Sequence, residues 1–205
     1  MKISIHLFVL LTVFASHSLL AEGDAKAGEA KSAPCAACHG VDGNSVNPEW
    51  PKLAGQGAPY IVAQLKLFKE GERKNALMGP QAAALSEQDM HDIGAYYESQ
   101  TGTPGAADPE LVELGKAIYR GGIINKGVTA CTACHSPTGG GNQPAKFPKL
   151  SGQHAAYTAN RLNAYRAVDP TLEETYPAAA IMVSVTERLT DHEIEALAQY
   201  IQGLH

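Results

Sequence analysis

The sequence predicts an all-α protein in which one module is written twice. Apolar residues recur at helical spacing behind two capping-box-like starts, Ser86 with Asp89 and Thr190 with Glu193. No stretch sustains the period-two alternation of a half-buried strand. A set of short motifs in the first half returns in the same order in the second.

Residues 1–21 read as a targeting segment. Lys2 gives a short positive region, Ile3 to Ala15 is apolar, and Leu19-Leu20-Ala21 places a small residue at a cleavage edge, so the mature chain is expected to begin near Glu22. About 13 apolar residues are too few to span a bilayer comfortably.

Asp24 to about Ser32 is the first expected helix, with Gly28 matching Gly115 of the later Asp108-Pro109-Glu110-Leu111 helix, which runs to about Tyr119 behind an N-cap Asp and an N1 Pro. Next comes Cys35-Ala36-Ala37-Cys38-His39, repeated as Cys131-Thr132-Ala133-Cys134-His135. This spacing sets two thiols about one helical turn apart, able to add to the two vinyl groups of a haem, while the adjacent His reaches the iron; it is the signature of c-type haem attachment. Two copies imply two covalently attached haem c groups. Zinc would require ligand pairs 96 residues apart to be shared oddly, and a thioredoxin-like pair would need a βαβ context that is missing. Covalent haem attachment in bacteria is completed outside the cytoplasmic membrane, which agrees with the targeting segment and points to the periplasm.

Trp50-Pro51-Lys52-Leu53-Ala54-Gly55-Gln56 follows the first motif and Phe147-Pro148-Lys149-Leu150-Ser151-Gly152-Gln153 the second. Helical patterns then run over Tyr60 to Lys69 and Tyr157 to Arg166. Met78 precedes Leu85 by seven positions, as Met182 precedes Leu189, and each Leu leads into a capped helix with Ile93, Tyr96 and Tyr97, or Leu197, Tyr200 and Ile201, at helical spacing. The Gly, Pro and Thr of residues 100–107 mark a break. The expected organisation is a signal peptide at 1–21, one haem module at 22–101, a linker at 102–109 and a second haem module at 110–205. Gly139-Gly140-Gly141 lacks the Lys-Ser/Thr ending of a phosphate loop and reads as a flexible turn.

Composition agrees. The 205 residues are 44% hydrophobic but include only four Phe and one Trp, thin for two full cores unless haem supplies apolar bulk. The net charge of −5, without a basic block, makes nucleic acid and anionic membrane surfaces poor partners. The two motifs use all four cysteines.

The sixth iron ligand separates carrier from catalyst, since a haem with His on one face and Met on the other has no open position for substrate. Met90 and its counterpart Ile194 occupy the staple position of their helices, and Ile cannot ligate iron, so Met90 reads as packing. Met78 and Met182 recur at matching positions in irregular stretches, where extended chain can lay a thioether against the haem; with His39 and His135 they are the expected axial ligands. His91, His154, His192 and His205 read as surface or supporting residues.

The paired C-x-x-C-H, P-K-L-x-G-Q and M-x6-L-[ST]-x-x-[DE] segments resemble tandem class I c-type cytochromes, specifically the diheme cytochrome c4 family, over essentially the whole mature chain. The resemblance implies two cytochrome c folds about a pseudo-twofold axis with haem edges facing, and implies that the carbonyls of Pro51 and Pro148 orient His39 and His135. It also implies an electron carrier, not an enzyme, fed by a quinol-oxidising complex or another cytochrome and discharging to a haem-copper terminal oxidase, with any membrane association loose and through partners. The alternatives are the diheme subunit of a periplasmic dehydrogenase of the flavocytochrome type, or a small diheme peroxidase with a displaceable ligand. Asp169 to Tyr176 is a longer, acidic insert, whereas Lys66, Lys69, Arg73 and Lys74 precede Met78. Unequal haem potentials and a more basic face on the first module are therefore expected.

Overall fold

Asp24 opens the first helix, α1 (Ala25–Lys31), by accepting hydrogen bonds from the backbone N–H groups of Lys26 and Ala27. Ser32 joins it to α2 (Ala33–His39), which carries the first Cys-x-x-Cys-His motif and stops at Gly40. After a long loop come α3 (Ala58–Glu70), closed by a left-handed Gly71, and the short α4 (Met78–Ala83). The half ends with α5 (Glu87–Ser99), whose Ser86–Asp89 capping box is fully formed. The computed structural model describes residues 22–167 and 177–205, so the targeting segment at 1–21 and the whole Asp169–Tyr176 insert lie outside the described residues.

Residues 101–108 have no regular structure, and α6 (Pro109–Gly121) starts at the last residue of the expected linker, with Asp108 as its cap. The order then repeats as α7 (Thr132–His135) with the second motif, α8 (Ala155–Arg166), α9 (Pro177–Thr186) and α10 (Asp191–Gly203), the last behind a complete Thr190–Glu193 capping box. Among the described residues the only strand-like pairings are the isolated bridges Ile123 to Val128 and Asn142 to Phe147.

In each half the first and last helices cross at a glycine. A Cβ on Gly28 would lie 1.9 Å from the carbonyl oxygen of Asp92, and one on Gly115 would lie 2.1 Å from that of Ala196. No other residue permits such close backbones, which explains the matched glycines. Behind each crossing sits a separate apolar cluster: Ile61, Leu65, Phe68, Met90, Ile93 and Tyr97 in one half, Ile118, Tyr119, Ile194, Leu197 and Ile201 in the other. Met90, 2% exposed, is core packing as expected, and so is Ile194 at 1%.

The crossings are sealed by different chemistry. In the first half Lys31 bonds Asp92 at 2.6 Å, and Asp92 also accepts from the Asp24 backbone and Gln88. The second half places Ile118 and Ala196 there.

The halves meet through a reciprocal contact. Gln153 accepts from Lys52 N at 2.9 Å and donates to Lys52 O at 3.0 Å, while Gln56 accepts from Lys149 N at 2.8 Å and donates to Lys149 O at 3.0 Å. Around it, His154 Nε2 lies 2.8 Å from the carbonyl of Ser45, Tyr157 N donates to Pro48 O, and Asn160 donates to Glu49. His154 is therefore a tie between the halves. Arg73 corrects the expected basic face: it is buried, bonded to Gln64 at 2.6 Å, stacked over Phe68 and turned toward Tyr157 of the other half. Lys66 pairs with Glu87, and Lys69 and Lys74 remain exposed.

Candidate haem sites

Each Cys-x-x-Cys-His motif lies on a short helix whose last residue is the histidine. Both turns end with backbone at positive φ, Gly40 at 81° and Ser136 at 67°. That reversal carries the chain away after the histidine and toward the Pro-Lys-Leu loop. Glycine does this freely, whereas Ser136 adopts an uncommon conformation, held in part by its hydroxyl accepting from Gly140 N at 2.9 Å.

Both histidines are buried, each 7% exposed. His39 Nδ1 lies 2.9 Å from Pro51 O, and His135 Nδ1 lies 2.9 Å from Pro148 O. Burial lowers both imidazole pKa values, against an opposing effect of the proline carbonyl. A neutral ring that donates from Nδ1 keeps its lone pair on Nε2, the form that binds a metal. The extra residue before Pro148 leaves this distance unchanged, because Lys146 turns at positive φ and Asn142 bridges to Phe147.

The thiols are free of disulfides. Cys38 is exposed and Cys35, Cys131 and Cys134 are half-buried. Burial raises the pKa of Cys35, and pushes that of Cys131 up to about 12. Such thiols are poor thiolates, and among the described residues no group of three or more His, Cys, Asp or Glu could hold a metal ion, so the zinc alternative has no ligand set. The Tyr97 hydroxyl is buried beside Cys35 and Ser32 without a hydrogen bond. An orphan donor at the attachment cysteine, together with a neutral buried imidazole, fits a site completed by a bound group.

The methionines sit on helices, a correction to the extended chain expected. Met78 is the first residue of α4, half-buried against the same apolar cluster that Cys35 packs on. Asn75, which the sequence reading missed, accepts from the N–H groups of Leu77 and Met78 at 2.9 Å each, and Pro80 is tolerated because it falls in the first turn. Met182 is the sixth residue of α9, half-buried, with its carbonyl accepting from the fully buried Thr186 hydroxyl at 2.9 Å. Pro177 before three alanines was the missed signal of that helix. His91, His192 and His205 stay outside the buried clusters. The Gly139–Gly141 loop is fixed rather than merely flexible: Gly139 O accepts from Leu150 and Ser151, and Gly141 N donates to His135 O.

The cytochrome c family matches this chain twice, over residues 25–101 and 112–205. Cytochrome c4 of Stutzerimonas stutzeri is 47% identical over 206 residues, covering 96% of this chain and 97% of that one. The chain belongs to the cytochrome c4 family. The crystal structure of reduced recombinant cytochrome c4 from Pseudomonas stutzeri superimposes with a TM-score of 0.84 at 48% identity, covering 89% of this chain and all of that one. A thiosulfate dehydrogenase electron acceptor from Stutzerimonas stutzeri strain A1501 is more distant, 35% identical over 83% of this chain and 78% of its own.

As a cytochrome c4, the protein consists of two tandem all-α cytochrome c-type domains related by a pseudo-twofold axis. It carries two covalently bound haem c groups and transfers electrons rather than catalysing a reaction on a substrate. The reciprocal Gln56–Lys149 and Gln153–Lys52 contacts are that axis seen at the level of single residues.

Proposed function

We propose that this chain is a periplasmic electron carrier in which His39 and Met78 ligate one haem iron and His135 and Met182 the other, with Cys35, Cys38, Cys131 and Cys134 as the thioether attachments. The single observation that carries this reading is the matched pair of buried histidines, each with Nδ1 at 2.9 Å from a proline carbonyl. When bound, each haem supplies a one-electron ferrous/ferric couple. Pro51 and Pro148 fix the ring tautomer and orientation, leaving Nε2 for the iron. Asn75 and Thr186 seat the helical turns that hold Met78 and Met182. The thioether sulfurs of Met78 and Met182 would occupy the remaining position at each iron, which would leave none for a substrate and would raise the potential. The haem-bearing units are residues 22–101 and 110–205, joined by 102–109, a division supported by the irregular backbone of 101–108.

The donor is a quinol-oxidising complex or another cytochrome, and the acceptor a haem-copper terminal oxidase. Among the described residues no helix is long and apolar enough to cross a membrane. Any membrane association is proposed to be loose and through partners. A second reading has a specific support: the 35% identical relative named as a thiosulfate dehydrogenase electron acceptor favours a periplasmic dehydrogenase as donor. Copurification from membrane extracts at low and high salt separates the two, by whether a dehydrogenase or an oxidase complex is retained.

The ligand assignment is tested by the weak far-red absorption band of Met-ligated ferric haem. Met78→Leu and Met182→Leu should each remove about half of it. An unchanged band in either variant contradicts the assignment.

A further inference from the structure

One peptide unit in each module faces two ways. The carbonyl of Pro51 faces His39 Nδ1 at 2.9 Å, and the N–H of the same unit, that of Lys52, donates to Gln153 Oε1 at 2.9 Å. In the other module the carbonyl of Pro148 faces His135 Nδ1 at 2.9 Å, and the N–H of Lys149 donates to Gln56 Oε1 at 2.8 Å. Each glutamine carbonyl also accepts from the N–H that follows it, Gly57 or His154, and each amide nitrogen closes a second bond onto the lysine carbonyl. Six hydrogen bonds thus hold the two side chains; four cross the module boundary, one of each pair to the peptide unit that faces the histidine and the other to the carbonyl of the lysine that follows it.

We propose that Gln153 and Gln56 are positioning residues that act across the domain boundary, Gln153 tuning the iron bound by His39 and Gln56 the iron bound by His135. A hydrogen bond donated by a peptide N–H draws electron density onto its own carbonyl oxygen, and hydrogen bonds in series strengthen one another at low local dielectric. Gln56, 7% exposed, and the half-buried Gln153 meet that condition. A more negative Pro51 oxygen holds the His39 Nδ1 proton more tightly, gives the ring more imidazolate character and makes it a stronger donor to ferric iron. The ferric state is favoured and the midpoint potential falls. Each module therefore lowers the potential of the other's haem without touching it.

The proposal rests on His39 and His135 as axial ligands, and the test keeps the two ideas apart. In the holoprotein, hyperfine-shifted proton resonances of both histidine rings should be present in the wild type; their absence would overturn the ligand assignment before any glutamine is changed. Individual redox titration of the two centres in the otherwise unaltered holoprotein, each centre identified by the hyperfine-shifted resonances of its own histidine, then reads the coupling. Gln153→Leu should raise the midpoint of the His39 centre and speed exchange of its Nδ1 proton while leaving the His135 centre unchanged, and Gln56→Leu should do the reverse. Gln153→Glu, which keeps the acceptor, should not raise the midpoint. Asn160→Ala removes a boundary hydrogen bond to Glu49 that touches neither peptide unit and should move neither centre. Midpoints that shift together, that shift in the glutamine's own module, or that respond equally to Asn160→Ala would overturn the proposal.

Discussion

Lys31 bonds Asp92 at 2.6 Å across the α1–α5 crossing, where the second module places Ile118 and Ala196 instead. Asp92 is 3% exposed and its carboxyl is held below the usual range, first by the Lys31 ammonium and then by the Asp24 N–H and Gln88. Asp89 is lowered by the same lysine and by Ser86.

Acid should therefore open the first module before the second. A carboxylate whose pKa is lowered by folding contributes stability that is complete above its unfolded value, about 3.9, and is lost as pH falls from there toward the folded value. Thermal unfolding followed at each haem should show the first module falling below about pH 4. Asp92→Ala should cost about 2 kcal/mol at neutral pH, and Lys31→Ile with Asp92→Ala, which copies the second module, should recover much of it and flatten the acid limb.

The glycine crossings admit no side chain. Gly28→Ala or Gly115→Ala drives a Cβ onto a backbone carbonyl, so the helices must part; the expected cost is at least about 3 kcal/mol. Denaturation should show the loss in the altered module, and an alanine variant as stable as the parent would refute the packing account.

Ser136 adopts φ 67° directly after His135, where the first module has Gly40. Ser136→Gly relieves that conformation but gives up the hydroxyl bond to Gly140. The strain is the larger of the two effects, so a net gain of about 1 kcal/mol in the second module is expected from chemical denaturation.

Asn75 satisfies the first N–H groups of the helix that bears Met78. Asn75→Ala should destabilise that turn by about 1 kcal/mol and increase the high-spin fraction of the first haem alone, read by absorption and electron paramagnetic resonance.

Local chemistry made much of this legible in the sequence. The capping boxes of α5 and α10 and the Asp108–Pro109 start of α6 involve residues within a turn of one another, and all three are formed. The repeat exposed Gly28 with Gly115 and both Pro-Lys-Leu loops. What stayed hidden depends on partners far along the chain. Arg73 looked like a surface cation until Gln64, Phe68 and Tyr157 surrounded it. Gln56 and Gln153 were visible as the last letter of a repeated motif, but their partners lie 93 and 101 residues away. The helices under Met78 and Met182 were missed because both methionines were expected in irregular chain, although the prolines there, Pro80 and Pro177, are at home in a first turn.

The proposed reading requires closed coordination at both irons, His39 with Met78 and His135 with Met182, so that electrons are the only cargo. The most direct measurement is the carbon monoxide difference spectrum of the fully reduced native protein. No change at either centre is predicted, and a carbon monoxide-induced Soret shift at one or both would contradict the account.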